Sequence, residues 1–90
     1  MPDSPAPPRD ARRRRLLFRA THRGSHETDL LVGDFVSRRI DAFDAAELDA
    51  LEEILELPDP DLADWLTGRR AIPAADDTPL LRAMREAARS

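Results

Sequence analysis

Residues 43–66 read FDAAELDALEEILELPDPDLADWL, and this stretch decides the fold. Asp44 and Glu47 have the spacing of a capping box, and Phe43 and Leu48 occupy the two positions of a hydrophobic staple. Leu48, Leu51, Ile54 and Leu55 then fall on one helical face. A second start follows at once. Asp59 opens a helix with Pro60 at its first position, and Asp61 lies favourably at the positive end of the dipole. That helix buries Leu62, Trp65 and Leu66, and Gly68 ends it. Two short amphipathic helices joined by a tight turn must pack on further helices to be stable.

Those further helices lie on both sides. A first helix is expected from about Arg9 to Arg23, with Leu16, Leu17 and Ala20 as its apolar stripe and Gly24 as the residue that ends it. A second runs from near Ser25 to near Arg39 and buries Leu31, Val32, Phe35, Val36 and Ile40. After a linker over residues 69–77, Thr78-Pro79 announce a last helix that buries Leu80, Leu81, Met84 and Ala88. No run alternates polar and apolar residues in the manner of a strand. The expectation is an all-α, compact five-helix bundle, a single domain over residues 9–90. Residues 1–8, MPDSPAPP, hold four of the eight prolines and are expected to form a disordered tail.

Composition narrows the function. The chain has 90 residues and no cysteine, which excludes a disulfide framework and a thiolate metal site. Its aromatics are Phe18, Phe35, Phe43 and Trp65, too few for a sheet that stacks on RNA bases. No apolar run approaches the ~18 residues that span a bilayer, and neither a secretory signal nor a mitochondrial presequence is expected. Charge is segregated. Residues 1–23 carry seven arginines against Asp3 and Asp10, whereas residues 24–68 carry two arginines against thirteen acids. An acidic body argues against general nucleic-acid binding. All fourteen basic residues are arginine, which hints at a GC-rich bacterial source and hence a cytoplasmic location.

Few residues are candidates for chemistry. His22 and His26 are four apart, but Gly24-Ser25 between them should break the helix, and no third ligand joins them; no metal site is expected. Ser25 lacks the elbow of a serine nucleophile, and no carboxylate pair sits in an apolar pocket, so an enzyme is not expected. Arg12–Arg15 surround their helix instead of striping it. They read either as a solvated helix start or as a docking patch in which Arg12 and Arg13 touch an acidic partner. In Arg23-Gly24-Ser25-His26-Glu27, Arg23 would complement the first helix's C-terminus and Glu27 the second's first turn. Trp65 belongs to a buried stripe, so core is the better reading than contact.

The segment HRGSHETD (His22–Asp29), followed by LLVGDF and then by DPDLADWL (Asp59–Leu66), resembles the SdhE/Sdh5 family of flavinylation factors for succinate dehydrogenase. The resemblance spans about Arg12 to Leu66; many members carry larger apolar residues where Ser25 and Thr28 stand. It implies a five-helix fold. It also implies an assembly factor that binds the flavoprotein subunit of succinate dehydrogenase, or of fumarate reductase, and promotes covalent attachment of FAD to a histidine of that subunit. Carried over, Arg23, Gly24 and Glu27 would contact the client, with Arg23 and Glu27 presented side by side. His22, Ser25, His26 and Asp29 would border that contact. The FAD would belong to the client, and the factor would be a monomer forming a one-to-one complex without entering the membrane. The readings that remain are a small helical interaction module for another client, or a toxin–antitoxin-type regulator using the arginine-rich first helix.

Overall fold

The computed structural model describes residues 9–89, and among these described residues there are five helices. The expected tail over residues 1–8 lies outside the described residues. Helix α1 covers Ala11–Thr21. Helix α2 is one continuous element over residues 26–42 made of four pieces: α-helical His26–Thr28, π-helical Asp29–Gly33, α-helical Asp34–Arg39 and 3-10 Ile40–Ala42. Helices α3, α4 and α5 cover Ala45–Leu55, Asp59–Leu66 and Pro79–Arg89. A 3-10 turn, Ala74–Asp76, interrupts the segment between α4 and α5. No strand occurs among the described residues.

The start signals operate as their chemistry requires. In α3 the Asp44 carboxylate accepts from the Glu47 N–H at 2.8 Å, and the Asp44 N–H donates to the Glu47 carboxylate at 2.9 Å, a complete capping box. Phe43 and Leu48 are both buried beside it. The Thr78 hydroxyl caps α5 by accepting from the Leu81 N–H at 3.2 Å. Helix α4 stops at Gly68, whose φ of +83° suits a residue without Cβ.

One apolar cluster joins all five helices. Leu16 and Ala20 of α1 meet Val32, Phe35, Val36 and Ile40 of α2, the Leu48–Leu55 face of α3, the Leu62–Trp65–Leu66 face of α4 and Leu80, Leu81 and Met84 of α5. Leu17 and Leu31 are only half-buried at its margin, and Ala88, expected in the core, is exposed. The stripe of α5 thus closes at Met84, one turn earlier than its periodicity suggests.

Helix α1 is shorter than expected at both ends. Asp10 is its N-cap, accepting from the Arg13 N–H at 2.8 Å, so Arg9 stands outside. At the far end the Thr21 hydroxyl donates back to the Leu17 carbonyl at 2.9 Å, and the His22 Nδ1 lies 2.9 Å from the Phe18 carbonyl oxygen. The Phe18 carbonyl, which the His22 N–H would take if the helix continued, is thus met by the His22 ring instead. The Arg23 N–H goes to the Asp29 carboxylate at 2.8 Å, so Arg23 leaves the helix altogether.

Helices α1 and α2 approach closely at Gly33. A Cβ there would lie 3.1 Å from the Ala20 carbonyl oxygen and 3.3 Å from the Thr21 Cα. The glycine is needed for lack of space, since its conformation is ordinary helix. It lies at the end of the π-helical segment, a local widening that often accompanies functional sites.

Candidate functional site: the Arg23–Glu27 corner

Arg23 is the residue around which the corner is built. Its side chain is 9% exposed and is engaged by Asp59 and not by Glu27. Its Nε donates to Asp59 at 2.6 Å, its Nη1 to the Leu55 carbonyl at 3.0 Å and its Nη2 to the Leu57 carbonyl at 2.6 Å. The last turn of a helix leaves carbonyls without intrahelical partners. Arg23 satisfies that of Leu55, the last residue of α3, and that of Leu57 in the turn beyond, and with the same guanidinium fixes the carboxylate that opens α4. The planar fork of arginine suits this use, where a lysine would supply only a point charge. The α1–α2 corner and the α3–α4 corner are thereby one unit. The expectation that Arg23 would lie outward beside Glu27 is corrected here: the carbonyls of the next corner hold it inside.

Arg13 does the same at the end of α2. Its Nε donates to the Ile40 carbonyl at 3.0 Å and its Nη2 to the Phe43 carbonyl. Arg12 bonds Asp49 at 2.6 Å and Glu52 at 3.0 Å, Arg9 bonds Asp41 at 2.9 Å, and Arg19 bonds Glu56 at 2.6 Å. The two carboxylates beside Arg12 push its pKa further up, chiefly through the bond to Asp49. The basic first helix therefore faces the acidic α3 of its own chain. Of the run Arg12–Arg15, Arg14 donates to the Arg9 carbonyl, and only Arg15 has no ion-pair or hydrogen-bond partner among the described residues. The run is neither simply solvated nor a free patch.

The outward side of the corner is formed by Gly24, His26 and Glu27. Gly24 has φ +94°, and no heavy atom lies within 4 Å of the place where its Cβ would be. The positive φ makes the sharp reversal between α1 and α2, and the empty space makes the backbone there approachable. The Glu27 side chain is 45% exposed, with its Oε2 3.4 Å from an Nη2 of Arg69. His22 is exposed and stacks on Phe18, ring centroids 4.0 Å apart. Ser25 and Asp29 are half-buried; Asp29 is committed to the Arg23 N–H. His22 and His26 join no cluster of metal-ligating side chains among the described residues.

The second motif is structural in large part. Leu62, Trp65 and Leu66 are buried, with Trp65 4% exposed, so the core reading of the tryptophan holds. Asp59 bonds Arg23, Pro60 lies exposed in the first turn of α4, and Asp61 bonds Arg70 at 2.8 Å. Arg70 also bonds Asp64 at 2.9 Å, which holds the Asp64 carboxyl below the ordinary carboxylate value of 3.8.

Three features escaped the sequence reading. Phe18 and Leu30 are large apolar residues with 61% and 57% exposure. Each falls outside the apolar stripe of its helix, and that misfit is the signal that could have found them. Arg69 is the cation beside Glu27, a pairing across 42 positions that no local spacing shows.

No titratable pair of this corner is enclosed in an apolar cavity. A groove between α3 and α5 is lined by Phe35, Phe43 and Leu80, but its acids Asp44 and Glu47 are already engaged in the capping box. Fold and corner together define a small five-helix protein in which one inward-facing, part-buried arginine locks two inter-helix turns and leaves a glycine-led corner open. A sequence model of the family Sdh5, described as "Flavinator of succinate dehydrogenase", matches residues 14–88, and the chain belongs to that family. It is 56% identical over 79 residues to the "FAD assembly factor SdhE" of Acetobacter pasteurianus, covering 88% of this chain and 72% of that one. It is 38% identical over 66 residues to the mitochondrial "Succinate dehydrogenase assembly factor 2" of Mycosarcoma maydis, and 36% identical over 73 residues to that of Arabidopsis thaliana. The matches cover 73% and 80% of this chain but only 28% and 39% of those two relatives.

Proposed function

We propose that this chain binds the flavoprotein subunit of succinate dehydrogenase, or of fumarate reductase, and promotes covalent attachment of FAD to a histidine of that subunit. The observation that carries the reading is the open Gly24 corner, with Glu27 exposed beside it, in a chain of the Sdh5 family. A backbone reversal without a Cβ can enter a cleft that a side chain would block. Glu27, desolvated there, would gain charge-assisted hydrogen bonds to client donors. Arg23 acts from within, fixing the corner's shape. Held this way, the client's histidine and flavin are oriented for reaction, a contribution of position. In this reading FAD belongs to the client, the covalent bond forms on the client's own histidine, and the chain is an assembly factor with no catalytic residue. It acts as a single domain and a monomer, one to one, in the bacterial cytoplasm where the client is made. A regulator using the basic first helix is disfavoured because Arg9, Arg12 and Arg19 pair with acids of the chain's own body.

The test is co-purification with the tagged flavoprotein subunit, followed by calorimetric titration. Gly24→Ala and Gly24→Arg share the cost of a non-glycine residue at positive φ, about 1–3 kcal/mol, and differ in bulk. Both should keep the helical circular dichroism, with Gly24→Arg losing client binding and Gly24→Ala retaining part of it. Wild-type affinity in Gly24→Arg would remove the corner from the interface.

A further inference from the structure

The cation beside Glu27 is Arg69, and the fold takes trouble to put it there. Gly68, at φ +83°, turns the chain back after α4 so that the next residue lies alongside the first turn of α2. The turn is fastened on its far side. The Arg70 N–H donates to the Asp64 carbonyl at 3.1 Å, while the Arg70 guanidinium bonds Asp61 at 2.8 Å and Asp64 at 2.9 Å. The same guanidinium lies over the Trp65 ring at 6.0 Å. Arg69 is thus carried on an anchored loop. Its own guanidinium stands 3.4 Å from both the Glu27 and the Asp64 carboxylates and saturates neither, with the side chain 58% exposed. As a free surface pair, Arg69–Glu27 should contribute little to folding. An anchored loop that ends in a weakly engaged fork beside an exposed acid is arranged for a complex in which water is excluded.

We propose that Arg69 is a positioning residue of the docking corner: it aims the Glu27 carboxylate and turns its remaining N–H groups toward acceptor oxygens of the flavoprotein client. This rests on the reading of the Gly24 corner as the client-binding face. When the client covers the corner, the pair loses its hydration and the orientation of Glu27 becomes fixed. Arg69 donors not used by Glu27 and Asp64 then meet client carbonyl or carboxylate oxygens, the geometry that guanidinium groups recognise best.

The experiment is a double-mutant cycle on the full chain, with affinity for the purified, unflavinylated flavoprotein subunit measured by calorimetry at low and high salt. Arg69→Ala should weaken binding roughly thirtyfold or more, as for truncation of one partner of a desolvated charge pair, with the thermal midpoint unchanged. Arg69→Lys should recover much of that loss at low salt. In the Glu27→Ala background, Arg69→Ala should cost clearly less affinity than in the wild-type chain but not nothing, because the part that acts through Glu27 is already lost while the direct contacts to client oxygens remain. Wild-type affinity of Arg69→Ala, with Glu27→Ala weakened, would overturn the inference and leave the corner reading intact. An equal loss in both backgrounds would overturn the positioning role. Wild-type affinity of Glu27→Ala would remove Glu27 from the interface and overturn this inference, whereas the corner reading stands or falls with Gly24→Arg.

Discussion

Replacing Arg23 by methionine keeps the aliphatic stem and removes all three guanidinium bonds, to Asp59, to the Leu55 carbonyl and to the Leu57 carbonyl. Hydrogen bonds involving a charged group contribute about 1.5–3 kcal/mol each, but three bonds made by one group do not add. Breaking a fully buried ion pair costs ~3–5 kcal/mol. Asp59 is 24% exposed and can regain water, which lowers that figure. The Leu55 and Leu57 carbonyls are part-buried. A loss of about 2–4 kcal/mol is expected from these magnitudes. For a domain of this size, that is a fall of roughly 10–30 °C in the melting midpoint. The assay is urea and thermal unfolding followed by far-ultraviolet circular dichroism. Arg23→Lys should fall between the two, since an ammonium group can meet Asp59 but cannot fork onto both carbonyls. A methionine variant within about 0.5 kcal/mol of wild type, the range of ordinary surface changes, would refute the inward role. Full stability combined with lost client binding would make Arg23 a contact residue instead.

Gly33→Ala should destabilise by about 1–3 kcal/mol, because the new methyl group meets backbone of α1 at 3.1 and 3.3 Å and cannot displace it cheaply; chemical denaturation measures this. The pH dependence has a definite sign. Asp10 and Asp64 are held below their ordinary value of 3.8, Asp10 first by the Arg13 N–H and Asp64 first by Arg70. A depressed carboxylate contributes stability that is present above its unfolded pKa and lost as pH falls through its folded one. The share of stability that rests on these two acids should therefore be lost on acidification below about pH 4, and Arg70→Ala should remove the larger part of what belongs to Asp64.

Much of this architecture could be read directly from the residues. The Asp44–Glu47 box, the proline-led start of α4, the Thr78 cap and the stripes of α2, α3 and α4 are local signals, each acting within a turn or two of chain. Gly24 was legible for the same reason, since a reversal between two helices needs a residue tolerant of positive φ. What the sequence hid is what acts at a distance. Arg23 looked outward because its partners lie 32 to 36 positions away, on carbonyls that any sequence would supply. Arg12 and Arg13 looked like a free basic run because nothing local shows that the acids of α3 and the end of α2 come to meet them. The early end of α1 follows from the His22 ring meeting the Phe18 carbonyl and from Asp29 taking the Arg23 N–H, which periodicity does not encode. Among the candidate contacts, Gly24, His26 and Glu27 face outward, and Arg23 and Asp29 hold them in place.

The central claim is that the Gly24 corner promotes covalent flavin attachment on a client. It is tested most directly by incubating the unflavinylated flavoprotein subunit with FAD, alone, with the wild-type chain and with Gly24→Arg, and following flavin fluorescence of the denatured subunit in a gel. The wild-type chain should raise both the rate and the yield of protein-bound fluorescence, and the variant should leave them at the level of the subunit alone. Equal fluorescence in all three reactions would contradict the account.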